Sequence, residues 1–213
     1  VGEDQSPLAI IEAKKFSLDP EKGIIQATTY QRDISSQIGL SVPIFLTNGL
    51  KWYIKEKDSP LRRISGPFSQ EDLQRRINLL KHRRNLSEIE INTRIIDRSK
   101  SIQIAKQVLD HFNSGHRSAL IAMATGTGKT RVAMAIIDAL VKSRWVQNVL
   151  FVVDRISLGR LAFYNGFQKF FESTPACLLN EQKFTKDKRF YVSTVQTLMA
   201  KQENGKRLFE KFT

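Results

Sequence analysis

The sequence predicts an α/β protein in two parts, and three observations carry that reading. In the second half, short apolar stretches such as ALIAMA (119–124) and VLFVV (149–153) alternate with helical patterns. That alternation marks a parallel sheet covered on both faces. A glycine- and threonine-rich loop, ATGTGKT (124–130), stands between one such stretch and a helix. In the first half, PLAIIEAKK (7–15) passes from core-type residues to a carboxylate and two lysines within the length of one strand.

Taken in order, Pro7 opens a strand over 7–14, and Asp19-Pro20-Glu21 supplies an N-cap, a proline and an acid for a helix to about Ser36. Val42–Leu46 is an apolar run, Asn48-Gly49 a turn, and Leu50–Lys55 alternates as a hairpin partner. Asp58-Ser59-Pro60 and Ser65-Gly66-Pro67 punctuate the next stretch. Ser69 with Asp72 forms a capping box, and Leu73, Ile77 and Leu80 give the helix behind it one apolar stripe. The domain boundary falls near 85–95, dividing the chain into 1–88 and 89–213. Beyond it the pattern predicts a helix over 99–113, a buried strand over 118–123 and a helix over 129–143. Further strands follow over 148–153 and 190–193.

Composition narrows the function classes. The 213 residues are enough for two modest domains, and 41% hydrophobic with 26% charged residues makes a soluble globular protein the default. No apolar run approaches the roughly 20 residues of a membrane helix, so no membrane partner is expected. No signal-peptide pattern is visible. One cysteine, Cys177, excludes a disulfide framework and points to a reducing, cytoplasmic setting; within ACLL it reads as a small apolar residue. His82, His111 and His116 have no ligand spacing and read as surface residues. The excess of 34 Lys/Arg over 21 Asp/Glu, a net charge of +13, favours a polyanionic partner such as nucleic acid.

The loop at 124–130 has the residue types that phosphate binding needs. Gly126 and Gly128 let the backbone turn tightly and bring its N–H groups to phosphate oxygens, with Thr125 and Thr127 between and beside them. The following helix aims its positive end at the same anion. Lys129 can reach the terminal phosphates, and the Thr130 hydroxyl can complete a Mg²⁺ shell, so ATP and Mg²⁺ are the expected cofactors. Met123 stands where the strict pattern has glycine. Downstream, Asp154-Arg155 and Ser193-Thr194-Val195-Gln196-Thr197 lie at carboxyl ends of strands, where such folds bind ligands. Hydroxyls after a strand are more often helix caps.

On a strand, residues two apart share a face, so Glu12 and Lys14 point together. Gln26 and Tyr30, four apart on the following helix, also share a face. Metal-dependent phosphodiester cleavage needs carboxylates for Mg²⁺ and a lysine beside the phosphorus. A second E-x-K, Glu181-Gln182-Lys183, has no strand before it and is assigned no function.

Together these segments carry a resemblance. ATGTGKT and the segments behind it, over about 95–213, resemble superfamily 2 helicases and stop before the acidic DEAH-type motif. Glu12-Ala13-Lys14, Gln26-Ala27-Thr28-Thr29-Tyr30, PIFLTNGLKW (43–52) and ATGTGKT, in that order, resemble the R subunit of a type I restriction enzyme. The resemblance implies a restriction-endonuclease-like α/β domain of the PD-(D/E)xK kind, joined to a RecA-like phosphate-loop ATPase domain, each incomplete here. It implies a site of Glu12 (also a metal ligand), Lys14, Gln26 and Tyr30. A nucleotide site follows at Thr125, Gly126, Thr127, Gly128, Lys129 and Thr130, the last also a metal ligand. Contacts to double-stranded DNA are implied through Arg155, Ser193, Thr194 and Gln196. Partners would be modification and specificity subunits. Gln103 is either the adenine-reading glutamine or a plain helix-surface residue. The partner Asp would fall before Val1, and Asp4, near a turn, is not promoted. The alternative is another superfamily 2 ATPase with a non-catalytic DNA-binding domain in front.

Overall fold

The computed structural model describes residues 1–2, 5–57, 59–202 and 205–212, so Asp4 and Asp58 lie outside the described residues. The chain divides into two compact units. One comprises Val1–Asn85 with His111–Ala119, the other Leu86–Asp110 with Leu120–Thr213.

The first unit is built on a four-stranded sheet in the order β1-β2-β3-β4. β1 (Ile10–Ala13) runs parallel to β2 (Ile44–Thr47), with the 15-residue helix α1 (Ile24–Ile38) as the crossover between them. The helix is entered through a 3₁₀ turn, Pro20–Gly23, whose first donors are met by Asp19 accepting from the Glu21 N–H at 3.1 Å. It ends at Gly39, whose φ of +67° suits a residue without a side chain. β2 turns back into β3 (Trp52–Lys55), and β4 (Arg62–Ile64) completes the antiparallel part. At that turn Gly49 has φ +90°, and Asn48 Oδ1 accepts from the N–H groups of Leu50 and Lys51.

Strand alternation decides what faces the core. Ile44 and Leu46 join Leu8, Ile10, Ala27, Val42 and Ile77, the last from α2 (Gln70–Lys81). Ser69 caps α2 by accepting from the Asp72 N–H at 3.1 Å. Phe45 points the other way, fully buried, its ring edge-on to Phe68 at 5.5 Å.

The second unit holds a three-stranded parallel sheet in the order β5-β7-β6, formed by β5 (Val149–Val153), β6 (Ala176–Leu178) and β7 (Phe190–Thr194). β7 lies in the middle with all five residues buried. Phe167 and Phe171 pack on Phe190 at 5.3 and 5.1 Å. Two long helices, α3 (Ser99–Asn113) and α4 (Lys129–Lys142), take up the expected positions. α5 (Ile156–Ala162) continues through a π turn, Phe163–Phe167, into α6 (Gln168–Phe170), and α7 (Val195–Met199) follows β7. Cys177 is buried in β6.

Two expectations need correction. The segment 118–123 is not a strand, and Leu120 is 98% exposed. A strand needs a neighbour for its N–H and C=O groups; β5, β6 and β7 pair with one another, and no described strand pairs with 118–123. Full cover on both faces holds for β7 but not for the edge strand β5, where Leu150 and Val152 are exposed. The histidines are at the surface as expected, although the rings of His111 and His116 stack at 3.9 Å. No helix among the described residues is long and apolar enough to cross a membrane. Phe45→Ala is expected to cost about 3–5 kcal/mol in denaturant unfolding, as for other fully buried aromatics; a loss below about 1 kcal/mol would contradict this packing.

Candidate functional site

The face of β1 that builds the core also builds the first site. Leu8 and Ile10 are buried, and the same side of the strand continues into Glu12 and then Lys14 just past its end. Register places Glu12 opposite Leu46, and the Lys14 N–H donates to the Thr47 carbonyl at 2.8 Å, so both side chains lie on the α1 side of the sheet. The Lys14 ammonium donates to Glu12 Oε1 at 2.6 Å and to Gln26 Oε1 at 3.1 Å, and Gln26 Nε2 donates to Tyr30 Oη at 2.9 Å. The Gln26 amide can point only one way, oxygen toward the ammonium, so the phenol oxygen accepts and its own proton is left for another acceptor. Glu12 and Lys14 are half-buried, at 14% and 23% side-chain exposure, whereas Tyr30 is 46% exposed. The four residues named from the sequence therefore form one hydrogen-bonded chain from a shielded carboxylate to an open phenol.

Sequence reasoning missed Gly23. It is buried at the entrance to α1, where a Cβ would come within 2.6 Å of Glu12 Cγ and 3.2 Å of Lys14 Cε. Its φ of −81° is ordinary, so the requirement is for space and not for backbone freedom. Sequence offered no signal for it, because Pro-Glu-Lys-Gly reads as a generic helix entry. As a metal site the cluster is incomplete: Glu12 offers one carboxylate, and the described residues contain no group of three acidic, histidine or cysteine side chains able to hold an ion.

The second unit carries the glycine loop. Gly126 and Gly128 have φ of +77° and +94°, and a Cβ at either would meet nothing within 4 Å, so the inner space is open. Gly128 caps α4 without a side-chain partner, which leaves the first N–H groups of a 14-residue helix directed at the loop. The Lys129 ammonium turns back to the carbonyls of Met123 and Ala124, at 2.9 and 3.0 Å, and Thr127 Oγ1 donates to Ala124 O at 2.6 Å. Thr125 and Thr130 are exposed beside it. Backbone donors at the start of α4, two glycines with open space around them and a lysine bonded to two carbonyls fit a phosphate chain.

The residues expected to touch DNA divide. Arg155 and Gln196 are exposed, Arg155 lying 3.7 Å from the Asp154 carboxylate. Ser193 and Thr194 are buried and serve the fold: Thr194 caps α7 by accepting from the Thr197 N–H, and Asn180 bonds both threonine hydroxyls. Gln103 is exposed on α3.

These features define an α/β protein of two units, one with a four-stranded sheet that carries a lysine–carboxylate cluster and one with a three-stranded parallel sheet and a glycine loop. Residues 94–212, more than half of the chain, match the family described as the res subunit of type III restriction enzymes, and the chain belongs to that family, with its helicase-like core. More particularly, it is 30% identical over 182 residues to the endonuclease subunit of the type I restriction enzyme EcoAI of Escherichia coli, covering 77% of this chain and 21% of that protein. It is 39% identical over 95 residues to the EcoKI endonuclease subunit of Escherichia coli strain K12, covering 40% and 8%. These similarities support the type I R-subunit resemblance, and the chain spans only a minor part of either relative. A fragment structure of an HsdR subunit assigned to a type I restriction enzyme of Vibrio vulnificus YJ016 aligns at 20% identity and a TM-score of 0.38, over 89% of this chain and 35% of that one.

Gly23→Ala is expected to cost about 1–3 kcal/mol through overpacking and to separate Glu12 from Lys14. A crystal structure of the variant checks this; a pair still bonded at its present distance would refute it.

Proposed function

We propose that the protein to which this chain belongs translocates double-stranded DNA at the expense of ATP and cuts it with Mg²⁺, as the restriction subunit of a type I enzyme. The observation that carries the reading is the Glu12–Lys14–Gln26–Tyr30 chain that joins β1 to α1, in the same polypeptide as the glycine loop. Modification and specificity subunits are the proposed partners and would supply sequence recognition. The cytoplasm is the proposed location.

In the nuclease role, Lys14 stabilises charge developing on the scissile phosphate, and its contact with Gln26 fixes where its ammonium sits. Tyr30, exposed and already accepting from Gln26, is free to donate its hydroxyl proton to a neighbouring phosphate oxygen. Glu12 would give one oxygen ligand to the ion, and it is the single carboxylate of this hydrogen-bonded chain. A bound Mg²⁺ supplies Lewis-acid activation of the phosphate and of water.

In the motor role, the N–H groups of Gly126, Thr127 and Gly128 would hold the phosphates, and Lys129, now bonded to two carbonyls, would serve the terminal phosphate. The Thr130 hydroxyl would be a Mg²⁺ ligand there. Arg155 and Gln196 contact the DNA backbone, while Ser193 and Thr194 hold the turn that presents Gln196.

In the intact protein, Lys14→Ala is expected to lower DNA cleavage by at least about 10²-fold while ATP hydrolysis continues. Cleavage at the wild-type rate would sink the nuclease reading. Lys129→Ala is expected to stop hydrolysis and cutting together; a variant that still cuts with normal efficiency would show that cleavage does not depend on the motor.

A further inference from the structure

A third cluster, used by neither site, gathers around Glu56 in the first unit. Glu56 follows the last residue of β3, and its Oε1 accepts from Arg76 and its Oε2 from Arg117, the latter at 2.5 Å. Arg62 lies 3.6 Å from the same carboxylate. Arg117 also donates to Ser59 Oγ at 3.0 Å, and Lys55 donates to the Ser59 carbonyl at 2.6 Å. The Arg76 guanidinium stacks over Phe68, 4.8 Å from the ring centroid. Arg83 lies within the field of the group.

Charge does not balance here. Among the described residues, Glu56 supplies one carboxylate to a group that gathers Arg62, Arg76 and Arg117 around it, with Lys55 beside them. The arrangement also has a direction. The carboxylate is 22% exposed, whereas Arg62, Arg76 and Arg117 are 45%, 37% and 54% exposed, so acid lies beneath and guanidinium groups face water. Exposed ion pairs contribute little stability, and crowding like charges costs some. Burial works to raise the Glu56 carboxyl, yet the Arg117 hydrogen bond and the charges of Arg76 and Arg117 outweigh it and hold it below its ordinary value. Burial pulls Arg83 down; Glu56 opposes that, and Arg117 and Arg76 add to it. An incoming anion would relieve that repulsion. Planar guanidinium forks fixed by a carboxylate and a ring are preorganised for phosphate oxygens.

We infer that this arginine cluster is a phosphate-binding patch that takes the backbone of the duplex DNA engaged by the first unit. The inference rests on the nuclease reading for its choice of polyanion. Pairing of Ile44 with Lys55 and of Thr47 with Trp52 puts the patch at the end of the sheet away from Lys14. By strand rise and strand spacing the two are on the order of 20 Å apart, a span of about six base pairs. The patch reads no sequence; it positions.

The test measures binding of a short non-specific duplex to the full-length protein, without ATP, across a range of salt concentrations. The Arg62→Ala/Arg117→Ala double variant is expected to bind several-fold more weakly, with the salt slope reduced by about one for each phosphate that it no longer neutralises. Glu56→Gln keeps an acceptor but removes the opposing charge, and is expected to bind at least as tightly as wild type. An unchanged slope in the double variant overturns the patch, and so does a loss of thermal stability with the slope intact, which marks a purely structural hub. If the slope is unchanged while Lys14→Ala abolishes cutting, the patch fails and the nuclease reading stands. If the slope falls while Lys14→Ala cuts normally, the patch stands without the nuclease.

Discussion

The register between β1 and β2 is the constraint on which the first unit depends. The Ile10 N–H donates to Pro43 O at one end of the pair and the Lys14 N–H to Thr47 O at the other. Those bonds fix Ile10 against Ile44 and Glu12 against Leu46. Because side chains alternate, a slip of one residue would turn Glu12 and Lys14 to the opposite face and drive Ile11 into the core. Burial of Leu8 and Ile10 thus sets the direction of the acid and the lysine. The core and the cluster are consecutive stretches of one stripe, apolar where helices cover it and charged where they do not.

The two E-x-K triplets show how little such a triplet means alone. Glu181-Gln182-Lys183 lies in a turn, where Glu181 accepts from Arg160 and Tyr164 and Gln182 accepts from the Leu178 N–H. Its acid is consumed by neighbours and its lysine is elsewhere. At Glu12-Ala13-Lys14 the strand forces both side chains to one side, and Gly23, by having none of its own, leaves them the space. The same E-x-K pattern makes an ion pair in one setting and a loop support in the other.

Within the second unit, legibility differs from one segment to the next. The loop at 124–130 is readable because positive φ at Gly126 and Gly128, and a helix beginning at Lys129, are local properties of those residues. The helix stripes of α3 and α4, like that of α2 in the first unit, are readable for a related reason, periodicity. Thr194 reads from sequence both as a DNA contact and as a helix cap, and the structure uses it as a cap bonded to Asn180. Asn180 comes from the far side of β7 in sequence, and no spacing rule links the two.

By itself the sequence determined the two-part α/β organisation, the glycine loop, the pairing of Glu12 with Lys14 on one face and that of Gln26 with Tyr30 on another. Each follows from spacing within one element, which short-range geometry enforces. Only tertiary structure decided that these two pairs meet, that Gly23 leaves the space Glu12 and Lys14 occupy, and that Arg117 reaches Glu56 across 61 positions. It also decided that 118–123, apolar enough for a buried strand, is not one. An apolar run records a preference for burial, whereas a strand exists only where another backbone offers the matching donors and acceptors.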